Sequence, residues 1–108
     1  MSKRVHVKFL TDKIENEYCA LAEDDRIKKK INWVIARLKQ RPNCGQPIAK
    51  RLIPQEYTNH GITNAFWIEL NKGARLIYSL SSENEEEIIA IIIEWFSRHK
   101  DYERRFGY

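Results

Sequence analysis

The segment from Ile88 to Phe96 restricts the possible folds of this sequence most, because it is apolar almost throughout. It is too short to be a membrane helix, which needs about 18 consecutive apolar residues. A strand that lacks polar alternation must be covered on both faces to keep its side chains out of water. The segment therefore predicts a central strand in a sheet that is packed from both sides.

Shorter alternating patterns predict three further strands. Their apolar positions are Val5, Val7 and Phe9, then Phe66, Ile68 and Leu70, then Leu76, Tyr78 and Leu80. The turn at residues 71–73 joins the last two strands into a hairpin, because its glycine can take a positive φ. We expect the first strand to lie at one edge of the sheet, beside one of the later strands.

Residues 12–41 predict a helical hairpin. Asp12 and Glu15 resemble a capping box, and the acidic cluster at residues 23–25 is expected to close the first helix and open the second. The second helix has one apolar face, formed by Ile27, Ile31, Val34, Ile35 and Leu38. Pro42 stops this helix, and Cys19 is predicted to lie in the core.

The resulting order, β–α–α–loop–β–β–β–tail, predicts one α+β domain over residues 1–108. In this domain the helical hairpin packs on one face of a small, mostly antiparallel sheet. The connection at residues 42–64 is long, with a short ordered piece expected around Ile48 to Ile53. Connections of this length inside a compact domain are often functional.

Charge is unevenly distributed along the chain, which has a net charge of +4. Residues 1–52 carry +7 and residues 53–108 carry −3. This asymmetry favours a polyanionic or acidic partner, although a solvated basic surface explains it equally well. The charged N-terminus is not followed by an apolar region of signal-peptide length, which predicts a cytoplasmic protein without membrane association.

Metal and cofactor chemistry find no support in the sequence. His6, His60 and His99 lie far apart, and the cysteines Cys19 and Cys44 have no CxxC spacing. Nucleotide-binding and hydrolase motifs are also missing. We therefore expect no metal, no cofactor and two reduced thiols.

The tail from Arg98 to Tyr108 holds four Lys or Arg residues, one His and three aromatic residues. Cations interleaved with aromatic rings are typical of single-stranded nucleic-acid binding, and the imidazole of His99 is a candidate for moving a proton. The alternative is a short terminal helix, in which Tyr102 and Phe106 pack on the core and the charges face water. Composition alone slightly favours that alternative.

Arg75 begins the third strand, directly after the turn. It either lies in a groove with Trp67 and Glu69 or forms a cross-strand pair with Glu69. Lys50 and Arg51 add positive charge to the connection, where solubility alone is the more common explanation.

The element order, the segment 73–78 (GARLIY) and the segment 98–102 (RHKDY) resemble the RelE/ParE superfamily of toxins from type II toxin–antitoxin systems. The resemblance covers nearly the whole chain. It implies a β-α-α-β-β-β fold and a cognate antitoxin as partner. RelE-like members cut messenger RNA on the ribosome without metal, through attack of a ribose 2′-hydroxyl on the adjacent phosphate. ParE-like members share the fold and inhibit DNA gyrase.

The resemblance implies roles for particular residues of this chain. Arg75 matches the arginine at the start of the family's third strand, and His99, Lys100 and Tyr102 match its C-terminal motif, which makes these four the catalytic candidates. The RNA-binding candidates are Lys50, Arg51, Arg98, Arg104 and Arg105. Phe106 and Tyr108 are better interpreted as packing anchors. Trp67 and Glu69 stand where RelE-like enzymes often carry lysines, so a non-nuclease, gyrase-inhibiting or antitoxin-binding protein remains the alternative.

Overall fold

The apolar C-terminal segment forms the longest strand of a mixed five-stranded sheet in a computed structural model, which describes residues 4–107. The strands are β1 (Arg4–Phe9), β2 (Gln46–Pro47), β3 (Phe66–Asn71), β4 (Ala74–Ser82) and β5 (Glu87–Phe96). The helices are α1 (Asp12–Ala20), α2 (Arg26–Gln40), α3 (Gln55–Thr58) and α4 (His99–Phe106), with a 3-10 helix at Lys50–Leu52.

The strand order in the sheet is β1-β5-β4-β3-β2. Strand β1 lies at one edge and pairs with β5 in parallel, whereas all other pairs are antiparallel. The α+β prediction is therefore confirmed, including the edge position of the first strand.

The helical hairpin is capped close to the predicted positions. Thr11, not Asp12, is the N-cap of α1, and its hydroxyl accepts a hydrogen bond from the amide of Ile14 at 3.2 Å. Asp25 caps α2 by accepting from the amide of Ile27 at 2.7 Å. The prediction that Cys19 lies in the core is wrong: this side chain is exposed. The short helix α1 buries no residue fully, and it turns only a narrow stripe toward the sheet.

Each face of the sheet carries its own core. On one face, the buried stripe of α2 packs against Leu76, Tyr78, Ala90 and Ile92. On the other face, a second core surrounds Ile77 and Ile93 and includes buried side chains from α3 and α4. Strand β5 is thus packed from both sides, as its composition predicted.

A β-bulge decides which residues of β5 face the second core. The pairing passes from Tyr78 opposite Ile92 to Ile77 opposite Glu94, so that Ile93 has no residue opposite it. Because side chains alternate along a strand, the extra residue moves Glu94 to the side of the sheet that carries α4. The bulge thereby places a carboxylate beside the C-terminal helix.

The connection between α2 and β3 is more ordered than its sequence indicated. The 3-10 helix falls within the predicted ordered piece, whereas α3 and β2 were not predicted. The buried Tyr78 hydroxyl donates to the carbonyl of Pro42 and accepts from the amide of Gly45, each at 2.8 Å. A Cβ at Gly45 would lie 2.7 Å from that hydroxyl, so only glycine permits this close approach.

Candidate functional site

Arg75 extends from β4 on the face of the sheet opposite α2. The Arg75 guanidinium carbon lies 3.9 Å from the centre of the Trp67 ring and 4.5 Å from the centre of the Tyr102 ring. Each cation–π contact contributes about 0.5–2 kcal/mol, more where water is excluded. Two rings on different elements therefore fix the position of a cation that is itself only partly buried.

Tyr102 joins this arginine to the second core. Its side chain is buried, with the residue only 3% exposed, and its ring stacks on Phe106 at 4.7 Å and meets Phe96 edge-on at 6.0 Å. The packed terminal helix foreseen as the alternative for the tail is thus what forms, and Phe106 is the anchor that was expected. A ring buried this deeply holds Arg75 but offers no face for a nucleic-acid base. Tyr108 lies outside the described residues.

His99 is the first residue of α4, and its ring also contacts Tyr102. The two rings are stacked with centres 5.8 Å apart, and His99 Nε2 lies 3.1 Å from a carboxylate oxygen of Glu103. The turn between β3 and β4 also reaches this point, because a Cβ at Gly73 would lie 3.9 Å from the His99 amide nitrogen. We call Arg75, Trp67, Tyr102, His99 and Glu103 together the Arg75 site.

Glu103 was not predicted, although its spacing offered a signal. His99 and Glu103 are four residues apart, which places them on the same side of a helix. About half of each side chain is exposed to solvent. The carboxylate is positioned to orient the imidazole, while the ring remains accessible.

The other predicted cations are spread around this site. Lys100 and Arg104 are exposed on α4, and Arg98 forms an ion pair with Asp101 at 3.2 Å just before that helix. Lys50 and Arg51 are exposed on the 3-10 helix. The third residue of that helix, Leu52, packs against the second core on the same face of the sheet.

Arg105 differs from these cations because two carboxylates already compensate its charge. It forms an ion pair with Glu56 on α3, and its Nε lies 3.1 Å from Glu94 on β5. The Tyr57 hydroxyl donates to the same Glu94 carboxylate at 2.5 Å. Burial, followed by the proximity of Glu94, raises the pKa of Tyr57 well above its usual range. This cluster fastens α4 to α3 and β5, so RNA binding by Arg105 stays a prediction without support from its contacts.

Of the two arrangements predicted for Arg75, the groove with Trp67 is the one that forms. Arg75 lies opposite Glu69 in the β3–β4 register. Within residues 4–107, however, no ion pair joins the two, and Glu69 is exposed. The guanidinium instead covers Trp67, two residues away from Glu69 on the same side of the strand.

Comparison with known proteins identifies the fold. No family model matches the sequence, and no curated protein matches it. A solved structure described as a YoeB/ParE toxin from Agrobacterium tumefaciens is similar over 97% of this chain and 99% of its own, with a TM-score of 0.56 and 18% sequence identity.

The chain has the YoeB/ParE toxin fold. The RelE/ParE resemblance noted in the sequence is therefore confirmed at the level of the fold. Because identity is low, the roles of Arg75 and its neighbours depend on their own geometry.

Residues 4–107 contain no group of three or more His, Cys, Asp or Glu side chains arranged to hold a metal ion. Over the same range, every helix is too short or too polar to cross a bilayer.

Proposed function

We propose that this protein is the toxin of a toxin–antitoxin pair and that it cuts messenger RNA on the ribosome. The observation that carries the proposal is Arg75, which two aromatic rings hold in place beside a histidine. The fold supports it, because the similar solved structure is described as a toxin. The proposal includes a cognate antitoxin that silences the protein.

In this proposal Arg75 neutralises the charge that builds up on the scissile phosphate. A guanidinium held in position before the substrate arrives needs no reorganisation when charge develops, and such fixed donors contribute strongly to rate. Trp67, which stands where lysine is common in RelE-like enzymes, then acts by positioning Arg75. Exposed Lys100 adds a second positive charge near the start of α4.

His99 is the group that we assign to proton transfer. The ribose 2′-hydroxyl loses its proton to a base and attacks the adjacent phosphorus. The bond to the 5′-oxygen breaks, and His99 returns the proton to that oxygen, which leaves a cyclic 2′,3′-phosphate. Glu103, 3.1 Å from His99 Nε2, orients the ring for this exchange. Tyr102 positions both Arg75 and His99, and exposed Glu69 is the alternative base.

Expression of the chain in bacterial cells tests the proposal. We expect growth arrest and new messenger 5′ ends that appear only in translated transcripts. Arg75→Ala should abolish both effects, whereas Lys39→Ala, a change at an exposed lysine on α2 away from the Arg75 site, should leave them unchanged.

Intact transcripts with normal translation would refute the nuclease proposal. If growth stops without cleavage, a supercoiling assay with purified gyrase identifies the other activity. Gyrase inhibition that survives His99→Ala would replace our proposal with the ParE-type activity.

A further inference from the structure

A second surface of the molecule combines an exposed aromatic ring with several cations. Trp33 on α2 is 51% exposed, which is unusual for the largest apolar side chain. Along α2, cations lie at positions i, i+3, i+4 and i+11 with Trp33 at i+7, a helical spacing that places them on the side facing away from the core. With a cation from the β3–β4 turn, this Trp33 surface consists of Arg26, Lys29, Lys30, Trp33, Arg37 and Lys72.

The ring lies among these cations at the wall of an open hollow. Lys30 Nζ lies 5.7 Å and Arg37 Cζ lies 5.4 Å from the centre of the indole ring. The hollow has a volume of about 570 Å³, and its lining among residues 4–107 includes four cations and no carboxylate: Arg26, Lys29, Lys30, Trp33, Asn71 and Lys72.

The chemistry of this surface fits single-stranded nucleic acid better than a protein partner. Solubility requires the lysines but does not require an exposed indole. A protein interface usually buries a cluster of apolar anchors. Within residues 4–107, Trp33 is the one large apolar side chain that is exposed, so it forms no such cluster. One flat ring in a field of cations suits a base stacked on the ring and phosphates held beside it.

The surface is continuous with the Arg75 site through the β3–β4 turn. Asn71 and Lys72 line the hollow. The next residue, Gly73, lies against the amide of His99. A strand lying across Trp33 can therefore pass over this turn and reach Arg75.

We propose that the Trp33 surface binds single-stranded RNA, with one base stacked on Trp33 and the neighbouring phosphates on Lys29, Lys30 and Lys72. This deepens the proposed function, because it adds a contact for the RNA outside the Arg75 site. The binding itself does not require cleavage.

Binding of a fluorescent 2′-O-methyl oligoribonucleotide tests the proposal, because such an RNA lacks the attacking hydroxyl and stays intact. Trp33→Ala should weaken binding at least about fivefold, the lower end of what removal of a stacking ring causes. The double variant Lys29→Glu, Lys30→Glu should bind more weakly still and with a shallower salt dependence. Lys39→Glu makes the same kind of charge change on the other flank of α2 and should weaken binding less than Lys29→Glu or Lys30→Glu made alone.

Three results would overturn the proposal: no binding by the wild-type protein, unchanged affinity in Trp33→Ala, or displacement of the RNA by poly-glutamate as readily as by unlabelled RNA. The last result would assign the surface to an acidic protein. If binding depends on Trp33 but messengers remain intact in cells, the nuclease proposal fails and the RNA surface stands. If cleavage depends on Arg75 but Trp33→Ala changes neither binding nor cleavage, only the proposal for the Trp33 surface fails.

Discussion

The carboxylate of Glu94 fastens the helix that carries His99, and its replacement by glutamine should destabilise the protein measurably. Glu94 accepts hydrogen bonds from the Tyr57 hydroxyl at 2.5 Å and from Arg105 Nη2 at 3.4 Å, and 16% of its side chain is exposed. Glutamine keeps the volume and removes the charge. Each hydrogen bond then falls from the charged range of about 1.5–3 kcal/mol to the neutral range of about 0.5–1.5 kcal/mol.

The expected loss in the free energy of unfolding is about 2 kcal/mol. Two contacts weaken by about 1 kcal/mol each. The charge left on Arg105 should increase this loss little, because one-third of the Arg105 side chain is exposed and solvent screens it. Arg105 also keeps its ion pair with Glu56. For a domain of this size the loss corresponds to a decrease in Tm on the order of 10 °C.

Urea unfolding of the wild type and Glu94→Gln, followed by far-ultraviolet circular dichroism, measures this loss. Glu83→Gln is the matched control, because Glu83 lies in the exposed turn between β4 and β5 and should change stability little. A loss below about 0.5 kcal/mol, the usual range for surface substitutions, would refute the argument that this carboxylate anchors α4.

Two further predictions concern buried tyrosines. Tyr78→Phe removes the hydroxyl that joins Pro42 and Gly45, so it should cost about 1–3 kcal/mol in urea unfolding, and unchanged stability would contradict the structural role of this hydroxyl. Burial raises the pKa of Tyr78 to about 12, and the pKa of Tyr57 is raised further. Folding favours the neutral form of these two phenols. Their contribution to the free energy of unfolding is therefore fully present below pH 10 and is lost as the pH rises through their folded-state pKa values. Tyrosinate absorbance should therefore show Tyr78 ionising near pH 12 and Tyr57 only on unfolding; ionisation of all five tyrosines near pH 10 in the folded protein would contradict this.

Much of the fold follows from hydrophobic patterning, because long elements have enough residues to show their period. The stripe of α2 and the apolar β5 are examples, and each packs as its pattern indicates. The short elements β2 and α3 gave no such signal, since two and four residues are held by tertiary contacts and not by periodicity. Cys19 was misplaced because α1 is too short and too shallowly packed to bury a second row of side chains.

The sequence predicted which residues lie near Arg75 but not which of them its guanidinium contacts. The hairpin pattern brought Arg75, Trp67 and Glu69 together, yet it could not decide whether the guanidinium pairs with a carboxylate or covers a ring. That choice depends on Tyr102, which α4 brings from outside the hairpin to within 4.5 Å of the guanidinium carbon. The Glu94–Arg105 contact was invisible in the sequence, because it depends on the bulge in β5.

Cleavage of a ribosome-bound messenger by purified protein tests the central claim most directly. The claim is that Arg75, fixed by Trp67 and Tyr102, neutralises the scissile phosphate. The wild type should cut the messenger only when ribosomes are present. Arg75→Ala should reduce the single-turnover rate by about 10²–10³-fold, as loss of one fixed donor does at other transition states. Its far-ultraviolet circular dichroism spectrum should match that of the wild type, and the control Lys39→Ala should cut at the wild-type rate. A messenger left intact by the wild type, or cut at an undiminished rate by Arg75→Ala, would contradict the claim.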